Sequence, residues 1–399
     1  MSVATTRAAA RPSPQELIAR AREISKFVST RARQTEADRR ISDDVIERMR
    51  KAELFRVLQP QAYGGYEFDF DVFMRIVATI AEGCGSSGWV YGILASHQWL
   101  AACFPPEAQN EMWKDRDALA AGTYSPTGQG VPDGDGYRLT GKWGFASGCD
   151  NSQWIFLGGM IHQAAGPTPG FFMLRTSECT LEDNWHTMGL AGTGSKNVVV
   201  NNVFIPAYRA VPFSELALGT APGTRVNSNP LYRQAFLSVL PITIVSPVLG
   251  MAEAALEFYL TMAKARVTRG AVAGGNRAMS DLTTIQLRVA EASACIDAAR
   301  LLMQRDMDDA RATVDRGEVI GVDARLRNRR DQAFSVRLLV QAIDALFMAS
   351  GGHGLFLESP LQRIWRDAHA AGAHISLTWD SAGSLYGQHL LGLEPKGGY

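Results

Sequence analysis

The chain has 399 residues, and its 40 basic and 40 acidic side chains give a formal net charge of zero at pH 7. Because a single hydrophobic core stops growing at about 250–300 residues, two or three subdomains are expected. The balanced charge offers no basic field for nucleic acid or anionic lipid, so neither is expected as a partner.

The cysteines and the apolar stretches indicate a soluble cytoplasmic protein with no membrane segment and no metal. The five cysteines are scattered, with no C-x-x-C pair or Cys/His spacing typical of a metal site. Residues 1–12 lack the apolar core of a signal peptide and are expected to form a flexible tail. The apolar stretch 237–251 contains two prolines and is too short to cross a bilayer.

The first third of the chain predicts an N-terminal helical domain over residues 13–117. Ser13, Pro14 and Glu16 form a strong helix start, with a capping serine, a proline in the first turn and a glutamate that can close a capping box. Further patterns at helical spacing follow, at about residues 43–52, 69–82, 87–104 and 107–114.

Residues 118–212 have a different pattern and predict a middle antiparallel β-domain, which is expected to form a β-barrel. Short β-branched and aromatic runs alternate with turn-like segments at 128–130, 133–136 and 166–170. Residues 213–230 are expected to be a linker loop, since 219–230 is rich in Gly, Pro, Ser and Asn.

Residues 231–399 predict a C-terminal four-helix bundle that also packs against other subunits. Long segments rich in Ala, Leu, Met and Arg cover about 243–267, 283–314, 325–350 and a region from Pro360 onwards. Helices with two apolar sides are typical of such bundles. The fold class is therefore α+β, in the order helical domain, β-domain and bundle.

Three motifs in and around the β-domain carry a resemblance to a known family. They are Gly136–Lys142 (G-Y-R-L-T-G-K), Met188–Lys196 (M-G-L-A-G-T-G-S-K) and the strand that ends in Asn202-Val203-Phe204-Ile205-Pro206. At these residues the chain resembles the acyl-CoA dehydrogenase superfamily. Within it, the chain is similar to the oxygenase components of two-component flavin monooxygenases, which hydroxylate aromatic compounds. The resemblance covers about residues 16–393.

This resemblance implies the activity, the cofactor and the partners. Reduced FMN or FAD would react with O2 to give a flavin C4a-hydroperoxide, which would hydroxylate a small phenolic or indolic substrate. A separate NAD(P)H:flavin reductase would supply the flavin, because the chain has no G-x-G-x-x-G strand–helix unit for a nicotinamide. A homotetramer with flavin sites shared between subunits is expected.

Trp89, Ile93 and His97 lie at i, i+4 and i+8, after two serines that can cap a helix, and so share one helix face. From the pattern alone, a buried core face is the favoured interpretation. The resemblance implies instead that Trp89 contacts the flavin and that His97 forms a hydrogen bond on the substrate side.

The resemblance implies that two short segments hold the flavin ring through backbone donors and one hydroxyl. They are Tyr124-Ser125 and Phe145-Ala146-Ser147. The resemblance favours a hydroxylase here, because dehydrogenases usually carry Thr-Asn where this chain has Ala146-Ser147. The first segment also lacks the acid and the Ser-Asp pair of the dehydrogenases. The alternative is that Ser147 merely ends a strand.

The resemblance implies that an arginine near the end of the first bundle helix binds the flavin phosphate, with Arg266 favoured over Arg269. The alternative for either residue is a solvated arginine on the surface. The loop containing Gly352 and His353 ends a long helix and resembles the superfamily's flavin-contacting loop, although alone it indicates only a helix C-cap. One departure from the family is Ala191, where many relatives have Arg.

The last segment separates the candidate reactions. Residues 367–380 contain no Glu where dehydrogenases commonly carry their catalytic base, although Asp380 is an available acid. The resemblance places His374 over the flavin, where an imidazole can manage a proton, and leaves His369 as structural. Together with His97 and Ser147, His374 is predicted to be catalytic. The alternatives are an acyl-CoA dehydrogenase, an N- or S-oxygenating relative, and a non-catalytic helical scaffold.

Overall fold

The computed structural model describes residues 11–164, 166–268 and 275–399. The helices are α1 (Pro14–Ser29), α2 (Ala32–Asp38), α3 (Asp43–Lys51), α4 (Phe70–Gly83), α5 (Gly85–Ala102), α6 (Pro106–Met112), α7 (Phe213–Ala217), α8 (Phe236–Val239), α9 (Ile242–Ala265), α10 (Thr283–Asp315), α11 (Val322–Ser350), α12 (Pro360–Gly372) and α13 (Trp379–Leu390). The strands are β1 (Ala120–Asp133), β2 (Gly136–Ala146), β3 (Trp154–Gln163), β4 (Gly166–Arg175), β5 (Thr180–Glu182), β6 (Lys196–Pro206), β7 (Ala210–Pro212), β8 (Val267–Thr268) and β9 (Arg277–Ala278). The chain thus has the expected order of a helical region, a β-region and a helical bundle.

The start of α1 is as predicted, whereas the start of α5 is not. Ser13 and Glu16 form a complete capping box before α1. At α5 the N-cap position is Cys84, with no side-chain cap hydrogen bond, and Ser86 and Ser87 lie inside the helix. The predicted serine cap is therefore wrong, because α4 ends only two residues before α5 begins and Cys84 alone joins them.

The middle region is one seven-stranded sheet in the order β5-β6-β2-β1-β3-β4-β7. Every described pair is antiparallel except β1 with β3, which is parallel. The strand β2 returns the chain to the end where β1 begins and already occupies one edge of β1. Residues 147–153 then cross to the free edge, so β3 runs alongside β1 in the same direction. The described pairings leave β5 and β7 as edges and do not close the expected barrel.

Gly128 and Gly130 lie within β1 rather than in the predicted turn. A Cβ at Gly128 would come 2.3 Å from the Trp143 ring, and one at Gly130 would come 2.2 Å from the Phe172 ring. These glycines therefore make room for aromatic side chains on the sheet face. The register of β1 shifts between Thr123 and Gly128, so residues 124–127 bulge out of the regular pairing.

Alternate residues of the sheet enter two different cores. Trp154 and Phe156 pack into the large core shared with the helices, whereas Ile155 and Leu157 pack into a smaller core on the other face. Within the described residues, two helical stretches (236–265 and 322–355) are long and apolar enough to cross a membrane. In the first, 83% of the apolar window is buried inside the fold, as in the core helix of a bundle.

Candidate active site

A chain of side-chain hydrogen bonds joins α5 to the end of β2 and to the loop before β6. The indole Nε1–H of Trp89 donates to Ser147 Oγ at 3.1 Å. Ser147 Oγ and Ser195 Oγ are 2.7 Å apart, and Ser195 Oγ lies 2.7 Å from Thr193 Oγ1. Thr193 Oγ1 then donates to the carbonyl oxygen of Leu190 at 2.8 Å. We call this set of three residues the hydroxyl chain: Ser147, Ser195 and Thr193.

The partners at its two ends fix the direction of every proton in the hydroxyl chain. A carbonyl oxygen can only accept, so the single proton of Thr193 points to Leu190. Ser195 must then donate to Thr193, and Ser147 must donate to Ser195. Because the indole of Trp89 can only donate, Ser147 Oγ also accepts from it. One lone pair remains on Ser147 Oγ, so toward a ligand Ser147 acts as a hydrogen-bond acceptor.

Two residues of α12 hold the loop that contributes Thr193 and Ser195 to the hydroxyl chain. The backbone N–H of Leu190 donates to Asp367 Oδ1 at 2.6 Å, and Arg366 donates to the carbonyl oxygen of Met188 and pairs with Glu36. Leu190 has a φ of +50°, a left-handed conformation that costs free energy for a leucine. The sequence alone does not indicate these contacts, because Arg366 and Asp367 lie about 180 residues along the chain from the loop that they hold.

Phe145, predicted to contact the flavin, has a strained and open position beside Ser147. Its φ is +66° and its side chain is 70% exposed, with its edge toward the ring of Trp185 at 5.8 Å between centroids. Ala146 is buried, and the N–H of Ser147 bonds back to the carbonyl of Phe145 at 2.9 Å. An exposed aromatic ring at a strained position near the end of β2, next to a buried hydroxyl, suits a ligand-binding edge.

His374 lies next to Trp89 and is neutral at physiological pH. The two rings are 6.0 Å apart between centroids. Burial, with a smaller contribution from the positive charge of Arg329, lowers the pKa of His374 to about 4. The backbone N–H of Ser376 donates to Nδ1 of His374 at 3.2 Å. Nδ1 is therefore the acceptor nitrogen, and Nε2 carries the proton that His374 can donate.

His97 lies eight residues, or about 12 Å, along α5 from Trp89. Its tautomer is the opposite of that of His374. Its Nδ1 lies 2.7 Å from the carbonyl oxygen of Ala120, which can only accept, so Nδ1 carries the proton. Nε2 then accepts from the hydroxyl of Tyr124 at 2.9 Å. Burial lowers the pKa of His97 to about 4 and raises that of Tyr124. The side chain of Tyr124 therefore forms a hydrogen bond with His97. From the sequence, Tyr124 was predicted to be part of the flavin-holding segment.

The residues predicted to lie near the flavin phosphate form a separate group near the end of α11. Arg266 donates through Nη1 to the carbonyl oxygen of Ser350 at 3.1 Å, which places it beside the exposed residues Gly352 and His353. No hydrogen bond among the described residues joins this group to Ser147. Arg269, the second candidate for the phosphate, lies outside the described residues.

The residues predicted to hold the flavin ring would suit reduced flavin better than oxidised flavin. In reduced flavin N5 carries a hydrogen and donates, whereas in oxidised flavin N5 is an acceptor. The free lone pair of Ser147 Oγ matches the first and opposes the second. Ser125 is exposed at the bulge of β1, and Gly158 packs against its carbonyl, so the backbone of this segment is held in place.

The family comparisons agree with this fit. Residues 13–116 match the family described as "Acyl-CoA dehydrogenase, N-terminal domain", and residues 242–379 match "Acyl-CoA dehydrogenase, C-terminal domain". The chain is 42% identical to the FADH(2)-dependent resorcinol hydroxylase, oxygenase component, of Rhizobium sp. (strain MTP-10005), over 96% of each chain.

Solved structures place the chain in the same group. The 3-HSA hydroxylase of Rhodococcus sp. RHA1 superposes with a TM-score of 0.91 at 35% identity, covering 96% of this chain and 98% of that one. XiaF from Streptomyces sp., solved with FADH2 and glycerol, superposes with a TM-score of 0.87 at 28% identity, over 96% and 97% of the two chains. The chain therefore belongs to the acyl-CoA dehydrogenase family, among the oxygenase components of flavin-dependent monooxygenases.

Proposed function

We propose that this enzyme uses reduced flavin, delivered by a separate NAD(P)H:flavin reductase, and O2 to hydroxylate a phenol. The polarity of the hydroxyl chain carries the proposal, because it leaves Ser147 able only to accept from a flavin N5–H. FADH2 is the favoured flavin, since the resorcinol hydroxylase relative is named for it and XiaF was solved with it.

The flavin ring is assigned to the site formed by Trp89, Ser147 and His374. When bound, reduced flavin supplies the electrons and the carbon atom at which oxygen is activated. Trp89 orients Ser147 through the indole hydrogen bond, and Ser147 holds the N5–H. With the flavin bound, the Nε2–H of His374 would be the proton donor available beside the ring. Tyr124-Ser125 and Phe145-Ala146 border the ring with backbone groups.

His97 is assigned to the substrate hydroxyl. Its Nε2 is a buried acceptor whose present donor is Tyr124, so a phenol can take the place of that donor. Accepting a hydrogen bond from the phenol hydroxyl increases electron density at the neighbouring ring carbons, where oxygen would be inserted. Nδ1 stays bonded to Ala120, and this bond fixes the tautomer throughout.

An acyl-CoA dehydrogenase is the alternative within this fold, and the site disfavours it. Removing a proton next to a thioester requires a carboxylate base close to the flavin ring. Residues 367–380 offer Asp367, which is held by Leu190, and Asp380, which is exposed at the start of α13. Insertion of oxygen at N or S would use the same flavin site but would leave the acceptor on His97 without a role. A non-catalytic scaffold would leave the hydroxyl chain and both neutral histidines unexplained.

We also infer a homotetramer with shared flavin sites and a cytoplasmic location. Around the loop beside Arg266, four large apolar side chains are exposed, a density typical of an interface: Met348, Leu355, Phe356 and Leu357. A second subunit covering this loop would bring its own surface toward Arg266 and Gly352, the proposed flavin phosphate contacts. All five cysteines are free thiols, as expected in a reducing compartment.

Rapid mixing of the enzyme with reduced FAD, oxygen and a phenol tests the function. We expect hydroxylated product to exceed released hydrogen peroxide, and no NADH consumption by the isolated protein. Peroxide alone with every phenol tested, or oxidation of an acyl-CoA thioester, would overturn the proposal. Replacing FADH2 by FMNH2 in the same assay tests the flavin preference.

A further inference from the structure

Arg329 on α11 is a buried cation without a partner. Its side chain is 6% exposed, and its Nε and Nη1 have no hydrogen-bond partner among the described residues. No carboxylate forms an ion pair with it in that part of the chain. Burial lowers the pKa of Arg329 to about 10, so it remains charged at neutral pH. A buried, unpaired guanidinium is strongly unfavourable, so the free N–H groups of Arg329 require a partner that the described residues do not supply.

Gln332 lies one helical turn further along α11 and has an unpaired oxygen. Its Nε2 donates to the carbonyl oxygen of Ser238 at 2.7 Å, which fixes the orientation of the amide. Oε1 is buried and has no donor among the described residues. Arg329 and Gln332 are three positions apart, so they face the same side of the helix. Together they present charged donors and one acceptor.

These two residues lie on the helix that links the two halves of the proposed site. Ser238 belongs to α8, and Phe236 of the same helix packs on the ring of Tyr124 at 5.4 Å between centroids. In the other direction along α11, Val336 lies 3.7 Å from the Cβ position of Gly372, just before His374. The charge of Arg329 is itself close enough to His374 to contribute to its lowered pKa.

We propose that Arg329 and Gln332 bind a second hydroxyl of the substrate, so that the preferred substrate is a dihydroxylated aromatic ring. A hydroxyl oxygen accepts from the guanidinium, and its proton goes to Gln332 Oε1, so one group satisfies both residues. A carboxylate would pair with Arg329 but has no proton for Gln332. This inference rests on the proposed function, in which the first hydroxyl binds His97.

Binding measurements on the full-length enzyme test this without turnover. Calorimetric titrations compare 1,3-dihydroxybenzene with phenol, 3-methoxyphenol and 3-hydroxybenzoate. The wild type should bind the diol at least about tenfold more tightly than phenol, as expected for a hydrogen bond to a charged group. Arg329→Met should remove this preference, leave phenol affinity unchanged and keep or raise the melting temperature. Arg337→Met, an exposed arginine on the same helix, serves as the control.

Two outcomes would overturn the inference: a diol preference that survives in Arg329→Met, or equal loss of both ligands together with a lower melting temperature. Preference for 3-hydroxybenzoate over the diol would also overturn it. If Arg329→Met does not fold, Gln332→Leu must weaken the diol severalfold and spare phenol. Failure of the proposed function is separate, because it appears as absence of hydroxylation whatever the binding preference.

Discussion

Removing the hydroxyl of Thr193 should reduce the enzyme's preference for reduced over oxidised flavin. In the wild type, Leu190 fixes the proton of Thr193, and this fixes Ser195 and Ser147 in turn. In Thr193→Val, Ser195 loses its acceptor and can turn to donate to Ser147. The proton of Ser147 is then free to reach the unprotonated N5 of oxidised flavin.

The size of the effect follows from one neutral hydrogen bond. Such a bond contributes about 0.5–1.5 kcal/mol, so oxidised flavin should bind about 2- to 13-fold more tightly to Thr193→Val than to the wild type. Affinity for reduced flavin should change little, because Ser147 can still accept from N5–H. The midpoint potential of bound flavin should shift accordingly, by about 30 mV for each tenfold change in the ratio of dissociation constants.

Anaerobic titration with oxidised and with chemically reduced FAD measures both constants. Thr193→Ser, which keeps the hydroxyl, is the matched control and should retain the wild-type ratio. The reasoning is refuted if Thr193→Val also keeps that ratio. It is equally refuted if Thr193→Ser loses the preference to the same extent, since the loop geometry rather than proton direction would then be responsible.

Three further predictions concern coupling, pH dependence and assembly. His374→Ala removes the Nε2 donor and should lower the ratio of hydroxylated product to hydrogen peroxide severalfold; unchanged coupling would mean that His374 is structural. The folded state holds His97 neutral with a pKa of about 4 against 6.5 when free, so stability is lost as pH falls through this range. Between pH 7 and 5, urea unfolding should show the wild type losing about 2 kcal/mol more than His97→Gln, and parallel losses would contradict the assignment. Phe356→Asp should dissociate the assembly in light scattering and weaken flavin binding, whereas an intact tetramer would exclude this loop from the interface.

The helices were largely predictable because their apolar positions recur at helical spacing. The predicted helices 283–314 and 325–350 differ from α10 and α11 by no more than three residues at any end. The role of each glycine was harder to predict, because a glycine can either form a turn or leave room for a neighbouring side chain. Gly130 serves the second purpose, and the neighbouring ring of Phe172 is 42 residues away in sequence.

The candidate site was also predictable only in part. Trp89, Ser147, His97 and His374 come from motifs, and Trp89 with Ser147 and His374 does form one group in the structure. The directions of the protons could not be predicted, since they depend on which carbonyl each group meets after folding. Arg329 carried no sequence signal, because a buried arginine without a partner looks like any other arginine on a helix.

Incorporation of labelled oxygen tests the central claim most directly. The enzyme, reduced FAD and a phenol are mixed in a single turnover under 18O2, and the product is analysed by mass spectrometry. The account predicts one atom of 18O in the new hydroxyl of the product and the other in water. A product whose new oxygen comes from water, or complete recovery of the label as hydrogen peroxide with no hydroxylated product, would contradict it.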